Sequence, residues 1–114
     1  MPDRLGDKIR LQHIADAIAE IRNYIRGISF EEFSSNSMMK SACIRQLEII
    51  GEASSRISEE LKSEHQQVAW RSIIGLRNLL IHEYFGVDEN VVWDVVENNL
   101  PELKVQITQI ISTL

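Results

Sequence analysis

Two side chains in the stretch 70–85 have the chemistry of a reactive site. Arg77 carries a guanidinium, and His82, five positions later, carries an imidazole that can exchange a proton near neutral pH. On a helix of about 100° per residue, Arg77 falls in the middle of an apolar arc. That arc consists of Trp70, Ile73, Ile74, Leu76, Leu80, Ile81 and Tyr84. Because an unpaired guanidinium in an apolar setting costs several kcal/mol, Arg77 must face an anion.

Two kinds of anion could meet the charge of Arg77. Glu48 and Glu52 lie one turn apart on the preceding long helix, and either could hold the guanidinium as a structural ion pair. The anion could instead be the phosphate of a ligand, which a planar guanidinium binds through two parallel hydrogen bonds. The residue pattern leaves both alternatives open.

A polar or bare edge runs along the same predicted helix. It consists of Arg71, Gly75, Asn78 and His82, which follow one another at steps of four, three and four residues. His82 and Arg77 lie about 140° apart on an ideal helix, so one phosphate contacts both only if the arginine bends round or a second subunit contributes. This geometry favours a site shared by two copies of the chain. Taken alone, a histidine on a helix is more often a hydrogen-bonded packing residue than a catalyst, and this alternative stays open for His82.

The elements that position these residues are all predicted to be helices. We expect long helices over 5–26, 37–62 and 68–85, a fourth helix from Asp88, a fifth from Pro101, and a short turn opened by a Ser29–Glu32 capping box. The valine run 91–96 stays helical because Trp93 and Asp94 interrupt the alternation of a strand. Short connections then predict an all-α fold, an antiparallel up-and-down bundle of about five helices in a single domain spanning residues 1–114.

The second long helix is apolar around much of its circumference, which indicates a central position in the bundle. Gly51 lies inside this helix. A glycine there costs roughly 1 kcal/mol relative to alanine, so its presence predicts that another backbone comes close at this point. Cys43 falls within the same apolar pattern and is expected to be a buried, reduced thiol.

Composition narrows the range of functions. The chain has 114 residues, 44% hydrophobic and 25% charged, as expected for one globular domain. Its net charge of −5 argues against a broadly basic nucleic-acid-binding face, so any contact with RNA must be local. We expect no membrane segment, no signal segment, no metal cluster and a cytoplasmic location.

Six separate sequence motifs, taken together and in order, are informative about the family of the chain. They are residues 28–33 (ISFEEF), 44–53 (IRQLEIIGEA), 70–78 (WRSIIGLRN), 80–88 (LIHEYFGVD), 92–93 (VW) and 98–103 (NNLPEL). In this order, and over nearly the whole chain, they resemble the HepT-like family of HEPN-domain proteins. The linker 65–70 lacks the proline that the family often carries there, which affects the rigidity of a loop and not the candidate site.

The resemblance implies a homodimeric, metal-independent endoribonuclease without a cofactor, the toxin of a type VII-like toxin–antitoxin pair acting on RNA such as tRNA or mRNA. Its partner would be a minimal nucleotidyltransferase antitoxin that transfers AMP to the tyrosine of an Arg-x4-His-x-Tyr motif, here Arg77, His82 and Tyr84. His82 would serve as base for the ribose 2′-hydroxyl, and Arg77 would stabilise the charge that develops at phosphorus. Asn78 and Arg71 would support them.

Two other functions remain compatible with these residues. The chain could be a non-catalytic helical subunit that positions a nucleotide or RNA for a nucleotidyltransferase, which would need Arg77 but not His82. It could also be a structural dimerisation domain in which Glu48 or Glu52 simply neutralises Arg77.

Overall fold

The computed structural model describes residues 4–82 and 88–114, and in that part of the chain it is helical without any strand. The helices are α1 (Arg4–Tyr24), α2 (Phe30–Ser35), α3 (Ser37–Ser55), α4 (Glu59–Glu64), α5 (Trp70–His82), α6 (Glu89–Asp94) and α7 (Leu100–Thr113), with a π-helical segment (Val95–Asn99) joining the last two. The predicted all-α bundle is confirmed, and the valine run is helical as expected.

The core forms where α1, α3 and α7 meet. Leu11, Ile14, Ile18 and Ile21 of α1, which lie three or four positions apart and so share one face, are completely buried. α1 packs against both α3 and α7, and α3 packs in turn against α5. The central position predicted for α3 is therefore confirmed. Cys43 of this helix is buried, which raises the pKa of its thiol to about 11 and keeps it protonated and unreactive.

The predicted capping box opens α2 as expected. The amide of Glu32 donates to Oγ of Ser29 at 3.1 Å, and the amide of Ser29 donates to Oε1 of Glu32 at 3.2 Å. The helix that follows buries Phe33 completely, with its ring 5.0 Å from the ring of Trp93 between centroids. This aromatic contact attaches α2 to α6.

The second long helix is shorter than predicted. It ends at Ser55, and the polypeptide turns before α4 begins at Glu59. The turn is held from α1, because Asp7 accepts hydrogen bonds from the amide of Ser58 at 2.9 Å and from its hydroxyl at 2.6 Å. Oγ of Ser58 also accepts from the amide of Leu61 and so caps α4. A contact between residues 51 positions apart thus divides one predicted helix into two.

The last two predicted helices are joined rather than separated. The amide of Leu100 donates to the carbonyl oxygen of Val95, five residues earlier, which is the bond of a π-helical turn. Pro101 has no N–H, and its ring would meet the carbonyl of Glu97 in a regular α-helix, so a wider turn lets the helix continue past the proline. Among the described residues, no helix is long and apolar enough to cross a bilayer.

Candidate active site

The crossing of α3 and α5 is built around Gly51. A Cβ atom at this position would lie 2.1 Å from Cβ of Arg77 and 3.3 Å from the carbonyl oxygen of Ile73. Any larger residue would therefore collide with α5. The predicted close approach is confirmed, and the atoms that lie against Gly51 are Cβ and Cγ of Arg77. Gly51 is thus the reason that this arginine can lie between the two helices.

The guanidinium of Arg77 is held by residues on both helices. Its Nη2 donates to Oε2 of Glu52 on α3, and its Nη1 donates to Oδ1 of Asn78 at 2.6 Å. Nε of Arg77 is buried and has no hydrogen-bond partner among the described side chains. About 25% of the Arg77 side chain and 42% of the Glu52 side chain remain exposed. The pair is therefore open to solvent on one side, and an anionic ligand has access to it.

Glu52 binds a second arginine as well. Its Oε1 accepts a hydrogen bond from Nε of Arg56 at 2.9 Å, one turn further along α3. The hydrogen bonds from Arg56 and then from Arg77 lower the pKa of Glu52 below its ordinary value of 4.5. The carboxylate is therefore ionised at neutral pH, and two guanidinium groups share its charge. The sequence interpretation missed Arg56, although its four-residue spacing from Glu52 is typical of a helical ion pair.

The remaining predicted site residues fall into three groups. Glu48 lines a groove between α1 and α3, and the described ion pair of Arg77 is with Glu52. Arg71 is exposed at the start of α5 and lines a separate groove beside α4. The structure places the backbone of His82 at the end of α5, but its side chain and the whole of Tyr84 lie outside the described residues.

The polar edge predicted for α5 is exposed. Arg71, Gly75 and Asn78 all face solvent, and a Cβ at Gly75 would meet none of the described residues within 4 Å. The side chain of Leu79, next to this edge, is 48% exposed. Among the described side chains, histidine, cysteine and carboxylate groups do not gather in sets of three or more that could hold a metal ion.

Comparison with known proteins identifies the family. A family described as ribonuclease HepT-like matches residues 14–110. The chain belongs to this family. The match covers most of the bundle, including the crossing of α3 and α5, and it confirms both the resemblance and the enzyme class, a ribonuclease, that the sequence predicted.

Several HepT-like relatives are similar over most of their length. The protein named "Probable ribonuclease HepT" of Thermococcus cleftensis is 45% identical over 94 residues, which cover 82% of this chain and 86% of that one. A protein of Caldanaerobacter subterraneus subsp. tengcongensis named "Putative RNase" is 39% identical over 101 residues, covering 89% and 90% of the two chains. No solved structure matches the chain.

Proposed function

We propose that this HepT-like ribonuclease is a metal-independent endoribonuclease in which Arg77 and His82 perform the cleavage. The imidazole of His82 takes the proton of a ribose 2′-hydroxyl, and the 2′-oxygen then attacks the adjacent phosphorus. The bond from phosphorus to the 5′-oxygen breaks, leaving a 2′,3′-cyclic phosphate, and the 5′-oxygen takes up a proton. Arg77 stabilises the negative charge that develops on the phosphoryl oxygens during this step.

The observation that carries this proposal is the incomplete enclosure of Arg77. Here one face of the Glu52–Arg77 pair is exposed, and the buried Nε has no partner among the described side chains, so the guanidinium is not fully satisfied within the fold. Glu52 and Asn78 orient the guanidinium, so that its remaining N–H groups can bind a phosphate without a large loss of side-chain freedom.

We further propose that the active protein is a homodimer with its sites at the interface. The exposed edge of α5 is suited to contact the same edge of a second copy, because no described residue lies within 4 Å of a Cβ at Gly75 and Leu79 is half-exposed. Arg77 and His82 point in different directions from one helix. In a dimer of this kind, one phosphate could contact Arg77 of one subunit and His82 of the other.

The most direct test is cleavage of RNA in the presence of a chelator by the wild-type protein and by Arg77→Ala and His82→Ala. Loss of one transition-state contact commonly lowers the rate by about 100-fold or more, and we expect losses of this size in both variants. Arg22→Ala, which removes an exposed arginine of α1, is the matched control and should cleave normally. Equal cleavage by His82→Ala would refute the assigned base. Binding of RNA without any cleavage would favour the non-catalytic subunit instead.

We also propose that the protein is the toxin of a toxin–antitoxin pair and that a nucleotidyltransferase partner silences it by adding AMP to Tyr84. Tyr84 follows Arg77 by seven residues, two helical turns, so a phosphate on its hydroxyl could pair with the guanidinium and occupy the position of the RNA phosphate. Tyr84→Phe should remain toxic and escape neutralisation, and the mass of the coexpressed wild-type protein should increase by one nucleotide. Full neutralisation of an unmodified protein would show inhibition by binding alone.

A further inference from the structure

A second polar surface lies beside the Glu52–Arg77 pair. It is a groove of about 510 Å³ between α1 and α3, which we call the α1–α3 groove. Its lining residues include Arg10 and His13 on α1, and Arg45, Glu52 and Arg56 on α3. Because Glu52 belongs both to this groove and to the candidate active site, the two are continuous.

The charge of the α1–α3 groove differs from that of the rest of the protein. Its three arginines and two carboxylates, Glu48 and Glu52, give the lining a formal charge of +1, and Arg77 beside it raises the sum to +2. The whole chain has a net charge of −5. A polyanion approaching this protein would therefore find positive charge concentrated at one place, which is where a local nucleic-acid contact has to form in an acidic protein.

The cationic side chains are also distributed suitably for a strand. Arg45 lies on α3, and Arg56, eleven residues later, directly follows the last residue of that helix, which corresponds to about 16 Å along its axis. Successive phosphates of one strand are spaced by about 3.4 Å along a nucleic-acid helix, so this distance covers several nucleotides. Both arginines are exposed, and the side chain of Arg56 is 65% accessible although it also contacts Glu52.

We propose that the α1–α3 groove binds the part of the RNA strand next to the cleaved phosphate, and that Arg45 and Arg56 contact its phosphates. The inference rests on the proposed ribonuclease function for the identity of the substrate. In this arrangement Arg77 contacts the reacting phosphate, while the groove fixes the direction in which the strand leaves the site. The contacts are with the backbone, so they contribute affinity and orientation without selecting a base sequence.

The test measures binding of a single-stranded 2′-O-methyl RNA oligonucleotide, which cannot be cleaved because its 2′-oxygen is blocked. The variants are Arg45→Gln, which leaves the Glu52–Arg77 pair intact, and the double variant that adds Arg56→Gln. The matched control is Arg26→Gln, because Arg26 is exposed just beyond the end of α1 and lines a different depression. Affinity is measured over a series of salt concentrations, and circular dichroism verifies that each variant is folded.

The slope of log affinity against log salt concentration is negative, and each lost phosphate contact with a single strand should make it shallower by about 0.7. We therefore expect a decrease of about 0.7 for Arg45→Gln and about 1.4 for the double variant, with Arg26→Gln unchanged. Wild-type slopes in the folded double variant would overturn the inference, even if the wild-type protein cleaves RNA. Reduced slopes in a protein whose wild type does not cleave RNA would support the groove and reject the ribonuclease proposal.

Discussion

Two acidic residues each hold a distant part of this chain, and they do so in opposite ways. Asp7 is completely buried, and both of its carboxylate oxygens accept hydrogen bonds from Ser58. Glu52 is 42% exposed and shares its two oxygens between Arg56 and Arg77. The carboxylate of Asp7 is therefore shielded from solvent. The Glu52–Arg77 crossing is exposed on one side, and Nε of Arg77 has no hydrogen-bond partner among the described side chains.

This difference separates a structural contact from a candidate site. A carboxylate that is enclosed and fully hydrogen-bonded can only stabilise the fold, because a ligand cannot reach it. A charged pair at the surface contributes little to stability, since water screens it, but it can exchange partners with an anion. We therefore expect changes at the Asp7–Ser58 junction to affect unfolding and changes at the Glu52–Arg77 crossing to affect activity.

The largest effect on stability should come from Asp7→Ala. The substitution leaves the partly buried amide and hydroxyl of Ser58 without their acceptor, and an unsatisfied donor costs about 1–3 kcal/mol when buried, so we expect a loss of about 1–2 kcal/mol. Urea denaturation measures it. Asp16→Ala, which removes an exposed aspartate from the same helix, should change the stability by less than about 0.5 kcal/mol. Similar values for the two variants would contradict the structural role of Asp7.

A pair of glycine substitutions tests how closely α3 and α5 pack at the Glu52–Arg77 crossing. Gly51→Ala gains about 1 kcal/mol of helix propensity but forces a methyl group against Cβ of Arg77, so it should be destabilising by about 1 kcal/mol and should lower cleavage. The methyl group added by Gly75→Ala would have no described residue within 4 Å, so this variant should stabilise the isolated chain by up to about 1 kcal/mol. Urea denaturation of both variants measures the change in unfolding free energy, which should have opposite signs in the two proteins. A stabilised, fully active Gly51→Ala protein would mean that the two helices are not in close contact.

The smallest effect concerns pH. The pKa of Glu52 is lowered in the folded state, so its ion pairs contribute stability above the ordinary value of 4.5, and this contribution is lost as the pH falls through the lowered pKa. Glu52→Gln removes the titrating group, and its unfolding free energy should decrease less below pH 4.5 than that of the wild-type protein. Identical pH profiles would show that the arginines do not stabilise the carboxylate.

Features that depend on local patterns could be predicted from the sequence alone. The capping box at Ser29, the burial of Cys43 and the need for space at Gly51 were all predicted and are confirmed. Helical periodicity, capping hydrogen bonds and the missing side chain of glycine act within a few residues, so their effect can be recognised in a linear string. The exposed polar edge of α5 was predicted by the same reasoning for Arg71, Gly75 and Asn78.

The contacts between residues far apart in the sequence could be seen only in the folded chain. Glu48 and Glu52 are equivalent in the sequence, but the crossing at Gly51 places Arg77 beside Glu52. The break after Ser55 likewise depends on Asp7, 51 positions from the serine it binds. Contacts of this kind depend on the angle and register at which whole helices pack, and these are set by the summed burial of many side chains rather than by the residues that finally touch.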